Sequence, residues 1–168
     1  MPDTEIRPAR LEDAADIAAI RREDGVRENI LAVTSERTSD VRRFLSSLGP
    51  DDRAFVAVCE GAATGMAVLL HSTAPRRAHC ASIAVMVGAE NQGVGVGSAL
   101  LKRLLDEADR ELCLHRLELL VLADNSAALS LYRKNGFSIE ARRRHAAVRN
   151  GDFADEFMMA RISAEAGA

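Results

Sequence analysis

Apolar residues follow two spacings along this chain, and these spacings predict its secondary structure. Alternating or continuous apolar runs, typical of strands, cover residues 4–9, 55–60, 64–71, 79–87, 116–122, 137–148 and 153–162. Apolar residues three and four positions apart, typical of amphipathic helices, cover residues 11–23, 39–48, 98–112 and 125–135. Their order, βααβββαβαββ, predicts a mixed α/β sheet with helices on its faces and a hairpin at the end.

Turn and capping residues indicate where several of these segments begin and end. Ser39 is placed to cap the second helix. The segment from Gly61 to Ala63 is predicted to join the second and third strands. Asn150-Gly151, a favoured dipeptide of two-residue hairpins, predicts the turn between the last two strands. Residues 24–38 follow neither spacing and are predicted to form a loop.

The composition is typical of one globular domain. The chain has 168 residues, 48% of them hydrophobic, which predicts a single domain over residues 1–163 and a disordered tail over 164–168. The net charge of −3 does not favour a nucleic-acid partner. There is no signal-peptide pattern, no apolar run near the ~20 residues of a membrane span, and no histidine pair with metal-ligand spacing. We therefore expect a cytoplasmic protein without a metal centre or a membrane partner.

Three glycines on alternate positions, Gly93, Gly95 and Gly97, stand between a predicted strand and a predicted helix. A P-loop is excluded because Val94 occupies the position of its lysine. A dinucleotide fingerprint is excluded because Ser98 occupies the position of its last glycine. The remaining interpretations are a tight turn without a ligand, or a helix N-terminus whose bare backbone amides hold a diphosphate.

A second polar pattern opens the next predicted helix, in the segment "ADNSAALSLYRKNGF". Asn125 stands where it can cap that helix or contact a ligand, and Tyr132 lies two turns further on. Each residue has a purely structural alternative: a helix cap for Asn125 and core packing for Tyr132. Tyr132 is the only tyrosine in the chain, so no neighbouring phenol can replace it.

Together these two segments resemble the GNAT superfamily of N-acetyltransferases. "NQGVGVGSALL" is similar to the family's acetyl-CoA diphosphate loop, and "DNSAALSLYRKNGF" is similar to its second cofactor motif. The resemblance implies a mostly antiparallel mixed sheet of about seven strands with a splayed central parallel pair and about four flanking helices. Its C-terminal part is also similar to bacterial L-amino-acid N-acetyltransferases.

The resemblance also implies which residues bind the acetyl-CoA co-substrate. The strand 79–87 would diverge at a bulge from its parallel neighbour, and backbone groups of Val85 and Val87 would bind the pantetheine arm. Asn125 would contact the same arm, and Tyr132 would protonate the leaving thiolate. Gln92 and the backbone N–H groups of the following residues would hold the diphosphate: Gly93, Val94, Gly95, Val96, Gly97 and Ser98.

The general base is less defined, although an amine that attacks the thioester directly must lose a proton. Glu118 lies on the strand beside the cleft and is the predicted base, with an ion pair to Arg116 as its structural alternative. Other carboxylates could bind the acceptor amine from loops. They are Glu28, Asp155 and Glu156.

The expected function is transfer of an acetyl group from acetyl-CoA to the amine of a small molecule, with an amino acid as the leading acceptor. One alternative within this reaction class is acetylation of a protein N-terminus or lysine. A different class, a non-catalytic acyl-CoA-binding module, would not require the phenol of Tyr132. The resemblance also implies a possible homodimer through the C-terminal strands.

Overall fold

The computed structural model describes residues 4–163, which form one seven-stranded mixed sheet. Its strand order is β1-β2-β3-β4-β5-β7-β6. The predicted fold, with a central parallel pair in a mostly antiparallel sheet, is confirmed. The strands are β1 (Thr4–Pro8), β2 (Arg53–Cys59), β3 (Ala62–His71), β4 (Cys80–Val87), β5 (Arg116–Leu122), β6 (Ser138–Arg149) and β7 (Asp152–Ile162). The predicted tail, 164–168, lies outside the described residues.

Five α-helices accompany the sheet: α1 (Ala14–Arg22), α2 (Arg27–Ile30), α3 (Thr38–Ser47), α4 (Val96–Asp106) and α5 (Ser126–Lys134). The short helix α2 lies within the segment that we predicted as a loop. Helix α4 begins two residues earlier than predicted and continues as a π-helical turn, Glu107–Glu111. No helix within the described range is long and apolar enough to cross a lipid bilayer.

Two local predictions need correction, and one is confirmed. Helix α3 is capped at Arg37, whose backbone N–H donates to the Asp40 carboxylate at 3.0 Å, so Ser39 is not the cap. The β2–β3 turn consists of Glu60 and Gly61, both with positive φ, and β3 already begins at Ala62. The predicted turn at Asn150-Gly151 is confirmed, again with positive φ at both residues.

The central parallel pair opens after three residues. β4 and β5 are in register at Cys80↔Arg116, Ala81↔Leu117 and Ser82↔Glu118, and no further pairs follow. β4 nevertheless continues against β3 to Gly65↔Val87 without a register shift. The predicted bulge at this divergence is therefore wrong. Register shifts lie instead in β2, between Ala57 and Val58, and at two places in β6. The strands diverge because each follows its antiparallel partner.

Each face of the sheet has its own apolar core. Helices α4 and α5 pack on one face, where Leu100, Leu101 and Leu104 are fully buried. Helices α1 and α3 pack on the other face around Ile17 and Val41. The β4–β5 gap passes between these two layers.

Gly65 lets α4 approach the sheet beside this gap. A Cβ atom at Gly65 would stand 2.9 Å from the backbone oxygen of Met86 and 3.1 Å from Cδ1 of Leu100. We expect Gly65→Ala to lower the free energy of unfolding by about 1–3 kcal/mol, because neither neighbour can move freely in a packed core. Urea denaturation measures this change.

Gly97→Ala is the matched control, because a Cβ atom there meets its nearest neighbours at 3.5 and 3.6 Å. Its free energy of unfolding should change by less than about 1 kcal/mol. Equal denaturation midpoints for the Gly65→Ala variant and the unmodified protein would contradict the close packing at Gly65.

Candidate active site

A single cavity of about 1090 Å³ occupies the gap between β4 and β5. On the α4–α5 side it is lined by the glycine loop, Asn125 and Tyr132. On the α1–α3 side it is lined by residues of α1, α2, α3 and the segment between α2 and α3, among them Arg21, Glu36 and Asp40. The cavity therefore connects the two faces of the sheet through the open part of its central pair.

The glycine loop presents bare backbone donors to this cavity. Gly93 and Gly95 have φ of +75° and +99°, and Gly95 is the N-cap of α4. No hydrogen bond from the N–H groups of residues 93–98 is recorded to any acceptor in the described chain. The positive end of the α4 dipole adds to these unpaired donors, so the loop has the local structure of an anion site.

The predicted residues of the glycine loop differ in whether they line the cavity, face solvent or are buried. Gly93, Gly95, Gly97 and Ser98 line the cavity, whereas the side chain of Val94 is exposed. Val96 is buried and anchors the start of α4 in the core, so only its backbone remains available to a ligand. At the other end of the loop, the carboxylate of Glu23 accepts a 2.7 Å hydrogen bond from the N–H of Ala89.

Gln92 lines the cavity, and one of the two N–H donors of its side-chain amide is already used within the chain. Its Nε2 donates to the carbonyl oxygen of Val87 at 3.0 Å, which links the loop to the end of β4. Val85 and Val87 both line the cavity beyond the last residue pair shared with β5. The β4 side of the gap therefore carries the predicted backbone positions, with one carbonyl already bound by Gln92.

Asn125 is the N-cap of α5 and also lines the cavity. Its Oδ1 accepts a 3.1 Å hydrogen bond from the N–H of Ala128. Capping and ligand contact are compatible, because the cap uses the amide oxygen and leaves the Nδ2 donors. The structural alternative for Asn125 is therefore observed, and its cofactor contact stays a prediction.

Tyr132 lies on α5 and reaches the open part of β4. Its side chain is buried, and its ring meets the ring of Phe137 edge-on with 5.7 Å between centroids. Burial raises the pKa of the phenol from an ordinary 10.0 to about 12, while a backbone interaction with Val85 acts in the opposite direction. The phenol is therefore protonated throughout the neutral pH range.

Glu118, the predicted base, does not line this cavity. It is part of the last residue pair between β4 and β5, Ser82↔Glu118, and lines a separate, smaller cavity. Its carboxylate accepts a hydrogen bond from Nε of Arg116 at 2.5 Å and from Arg77 at 3.2 Å. Two guanidinium groups bind this carboxylate. Glu118 therefore forms the ion pair with Arg116 that was its structural alternative.

The α1–α3 side of the cavity combines an apolar lining with a few charged groups. Nε of Arg21 donates to Glu36 at 2.5 Å, and both side chains line the cavity. Glu156 of β7 also lines it and is buried. The apolar lining on this side includes Val26, Ile30, Phe44, Met66 and Met86.

Two other predicted amine ligands are engaged elsewhere. Glu28 accepts hydrogen bonds from the N–H of Gly25 and from Arg27, both at 2.7 Å. Asp155 accepts from Arg142 and from the N–H of His145, both at 2.8 Å. Neither carboxylate lines the cavity.

Comparison with known proteins identifies the family of this chain. The sequence profile of the Acetyltransferase (GNAT) family matches residues 17–137. The chain belongs to the GNAT acetyltransferase family. As a GNAT acetyltransferase it is an acyltransferase, and acetyl-CoA is the acyl donor of that family.

Individual relatives are similar over most of this GNAT domain. L-amino acid N-acetyltransferase AaaT of Escherichia coli K12 is 34% identical over 113 residues, which are 67% of this chain and 70% of AaaT. Spermidine N(1)-acetyltransferase of the same strain is 31% identical over 108 residues, 64% of this chain and 57% of that enzyme. The acetyltransferase YncA of Salmonella typhimurium, solved with its cofactor acetyl-CoA, superposes with a TM-score of 0.87 at 25% identity, covering 99% of this chain and 97% of YncA.

Arg21 and Glu36 of this acetyltransferase were missed by the sequence analysis. Both lie in segments whose pattern indicates only a helix or a loop, and they are fifteen positions apart. The sole local signal was the position of Arg21 near the end of an amphipathic helix, where basic residues are common. Their meeting depends on how residues 24–38 fold back over the sheet.

The phenol of Tyr132 can be titrated directly, because the chain has one tyrosine and no tryptophan. We expect tyrosinate absorbance to appear with a midpoint near pH 12 in the folded protein and near pH 10.0 in the urea-unfolded chain. Since the folded state holds this proton more tightly, its stability should fall as the pH rises above 10.0. An ordinary midpoint in the folded protein, confirmed as folded by circular dichroism, would contradict the burial of this phenol.

Proposed function

We propose that this GNAT acetyltransferase transfers the acetyl group of acetyl-CoA to the primary amine of a small molecule, with an L-amino acid as the leading acceptor. The observation that carries the proposal is one continuous cavity that joins the unpaired N–H groups of residues 93–98 to an apolar compartment on the opposite face. Tyr132 lies between these two ends.

The cofactor would occupy the α4–α5 side of the cavity. The N–H groups of residues 93–98 supply donors for the diphosphate, and the α4 dipole favours its negative charge. The pantetheine arm would follow the open edge of β4 at Val85 and Val87, in place of the missing β5 pairing. Lys134 lines the same end of the cavity and adds a positive charge for phosphate.

Transfer would proceed directly between the two bound substrates. The amine nitrogen attacks the thioester carbonyl carbon, the new C–N bond forms, and the C–S bond breaks. The phenol of Tyr132, which is neutral at neutral pH, protonates the departing thiolate. The chain supplies position and proton transfer, whereas the thioester supplies the activated acyl group.

The acceptor compartment supports a small amine over a long peptide. Residues of α2 and the following turn cover it, and Arg21 is a cation that could meet a carboxylate. The similarity to an L-amino acid N-acetyltransferase supports the same class of acceptor. The cytoplasmic location and the homodimer stay predictions from the sequence.

An amine panel tests the reaction by following release of the CoA thiol. The panel contains L-leucine, n-butylamine, spermidine and an alanine-terminated peptide, each with acetyl-CoA. We expect the free amino acid to be acetylated most efficiently, because its apolar side chain and its carboxylate match the compartment. Preference for the peptide would support the protein-acetylating alternative, and no thiol release with any amine would contradict the proposed function.

Tyr132→Phe should lower kcat by roughly 100-fold, a typical effect of removing a general acid. Its Kd for acetyl-CoA, measured by calorimetry, should stay within a few-fold of the unmodified value. Phe137→Leu is the control, because it disturbs the same aromatic contact while keeping the phenol. Unchanged kcat in the Tyr132→Phe variant would remove Tyr132 from the reaction.

Gly97→Ala should weaken acetyl-CoA binding by about tenfold, equivalent to about 1.4 kcal/mol. The added methyl group would point between Val87 and Leu131, into the space assigned to the cofactor arm. Because the same substitution should leave the stability almost unchanged, calorimetry separates a binding defect from unfolding. Unaltered affinity would contradict the proposed path of the pantetheine arm.

A further inference from the structure

We propose that Glu156 binds the ammonium group of the acceptor and accepts its proton, the role that the sequence analysis assigned to Glu118. This inference rests on the proposed acetyl transfer to a small amine. Glu156 is 7% exposed and lines the acceptor side of the cavity. It therefore combines burial with direct access to the space where an amine would lie.

Comparison with the other buried carboxylates shows what distinguishes Glu156. Both oxygens of Asp13 accept hydrogen bonds from Arg7, at 2.7 and 2.8 Å. Both oxygens of Glu107 are likewise bound, one by Arg53 at 3.1 Å and the other by Arg103 at 2.6 Å. Asp13 and Glu107 have structural roles, since arginine guanidinium groups bind both oxygens of each carboxylate.

Glu156 has a cation on one oxygen only. Its Oε2 accepts a 3.0 Å hydrogen bond from Arg143, and no partner of Oε1 is recorded among residues 4–163. Oε1 is also not among the fully buried atoms that lack a partner, so this oxygen keeps some exposure, and the Glu156 side chain lines the cavity. A buried carboxylate with one oxygen open to a ligand cavity is suited to bind a cation.

The sheet register places this carboxylate beside the gap. Glu156 is paired with Leu122, four residues beyond the last β5 residue that pairs with β4. Its neighbour Phe157 packs on the α4–α5 core, so Glu156 alternates to the acceptor face. The phenol of Tyr132 interacts with the backbone of Val85, on the β4 side of the gap. Glu156 lies on the β5 side, so the proton donor and the proton acceptor are on opposite walls of the cavity.

The charged groups around Glu156 come from its own strand, from both neighbouring strands and from across the cavity. Arg143 of β6 contacts it directly, while Asp155 on its own strand is held by Arg142. At the end of β5, Asp124 is paired with Arg149, so this acid is neutralised locally. The remaining charged groups lie across the cavity: Arg21, Glu36 and Asp40.

Glu156, Tyr132 and solvent together account for every proton that moves during the transfer. The acceptor ammonium gives one proton to Glu156, and the neutral amine attacks the thioester carbon as the C–S bond breaks. Tyr132 gives its proton to the thiolate, and the second amine proton restores the phenol through solvent. Glu156 then releases its proton to water, so each turnover yields the amide, free CoA and one proton.

Glu156→Gln tests this assignment through the pH profile of kcat/KM, measured with whichever of L-leucine, spermidine and n-butylamine the unmodified enzyme acetylates best. At about pH 7 we expect a loss of roughly 100-fold, typical of a missing general base. The loss should shrink about tenfold per pH unit and vanish near pH 9, because the variant needs the free amine, whose fraction rises tenfold per pH unit below the amine pKa of about 10 for an alkylamine. The Kd for acetyl-CoA should not change.

Glu107→Gln is the control for removal of a buried carboxylate outside the cavity, and its pH profile should match that of the unmodified enzyme. A loss in Glu156→Gln that is equal at every pH, or no loss, would overturn the assignment. The same pH dependence in Glu36→Gln with a normal Glu156→Gln profile would overturn it in favour of Glu36. If the unmodified enzyme acetylated none of these amines, the proposed function itself would fail.

Discussion

β4 and β5 share three residue pairs and then separate, and the site depends on this incomplete pairing. Each strand keeps its antiparallel partner, β4 as far as Gly65↔Val87 and β5 as far as Leu122↔Glu156. The sheet therefore opens without becoming unstable, because its outer ladders stay intact. The facing backbone groups lose their partners along the gap, and such groups require other hydrogen bonds. An extended ligand that lies between the strands can supply them.

The same gap gives the two faces of the sheet different electrostatic properties. On one face, the bare N–H groups of residues 93–98 and the α4 N-terminus favour an anion. On the other face, Glu156 and the Arg21–Glu36 ion pair lie beside an apolar compartment, where Glu156 would favour an ammonium group. A diphosphate and an ammonium group would each be attracted to a different end, so charge alone orients the two substrates around the thioester.

Burial determines which groups can transfer protons in this cavity. Removal from water keeps the phenol of Tyr132 neutral, so it can donate a proton to a thiolate. Most acidic side chains near the gap are not free to exchange a proton with a substrate, because arginines bind them. The carboxylate of Glu118, for example, accepts hydrogen bonds from Arg116 and Arg77. In this chain, ion pairs such as Arg142–Asp155 join neighbouring strands, whereas an acid that is left partly unpaired is available to a ligand.

The sequence by itself determined the strands, most helices, the Asn150-Gly151 turn and the glycine loop before α4, because each depends on local spacing and backbone freedom. It also singled out Tyr132 as a candidate, since that residue follows Asn125 at helical spacing in one motif. Only the tertiary structure distinguishes Glu118, which two arginines bind, from Glu156, which one arginine binds. Both are acidic residues on strands, and their difference arises from strand register, the point where β4 leaves β5, and the arginines that reach them from elsewhere. These contacts join residues far apart in the chain, and no local pattern encodes them.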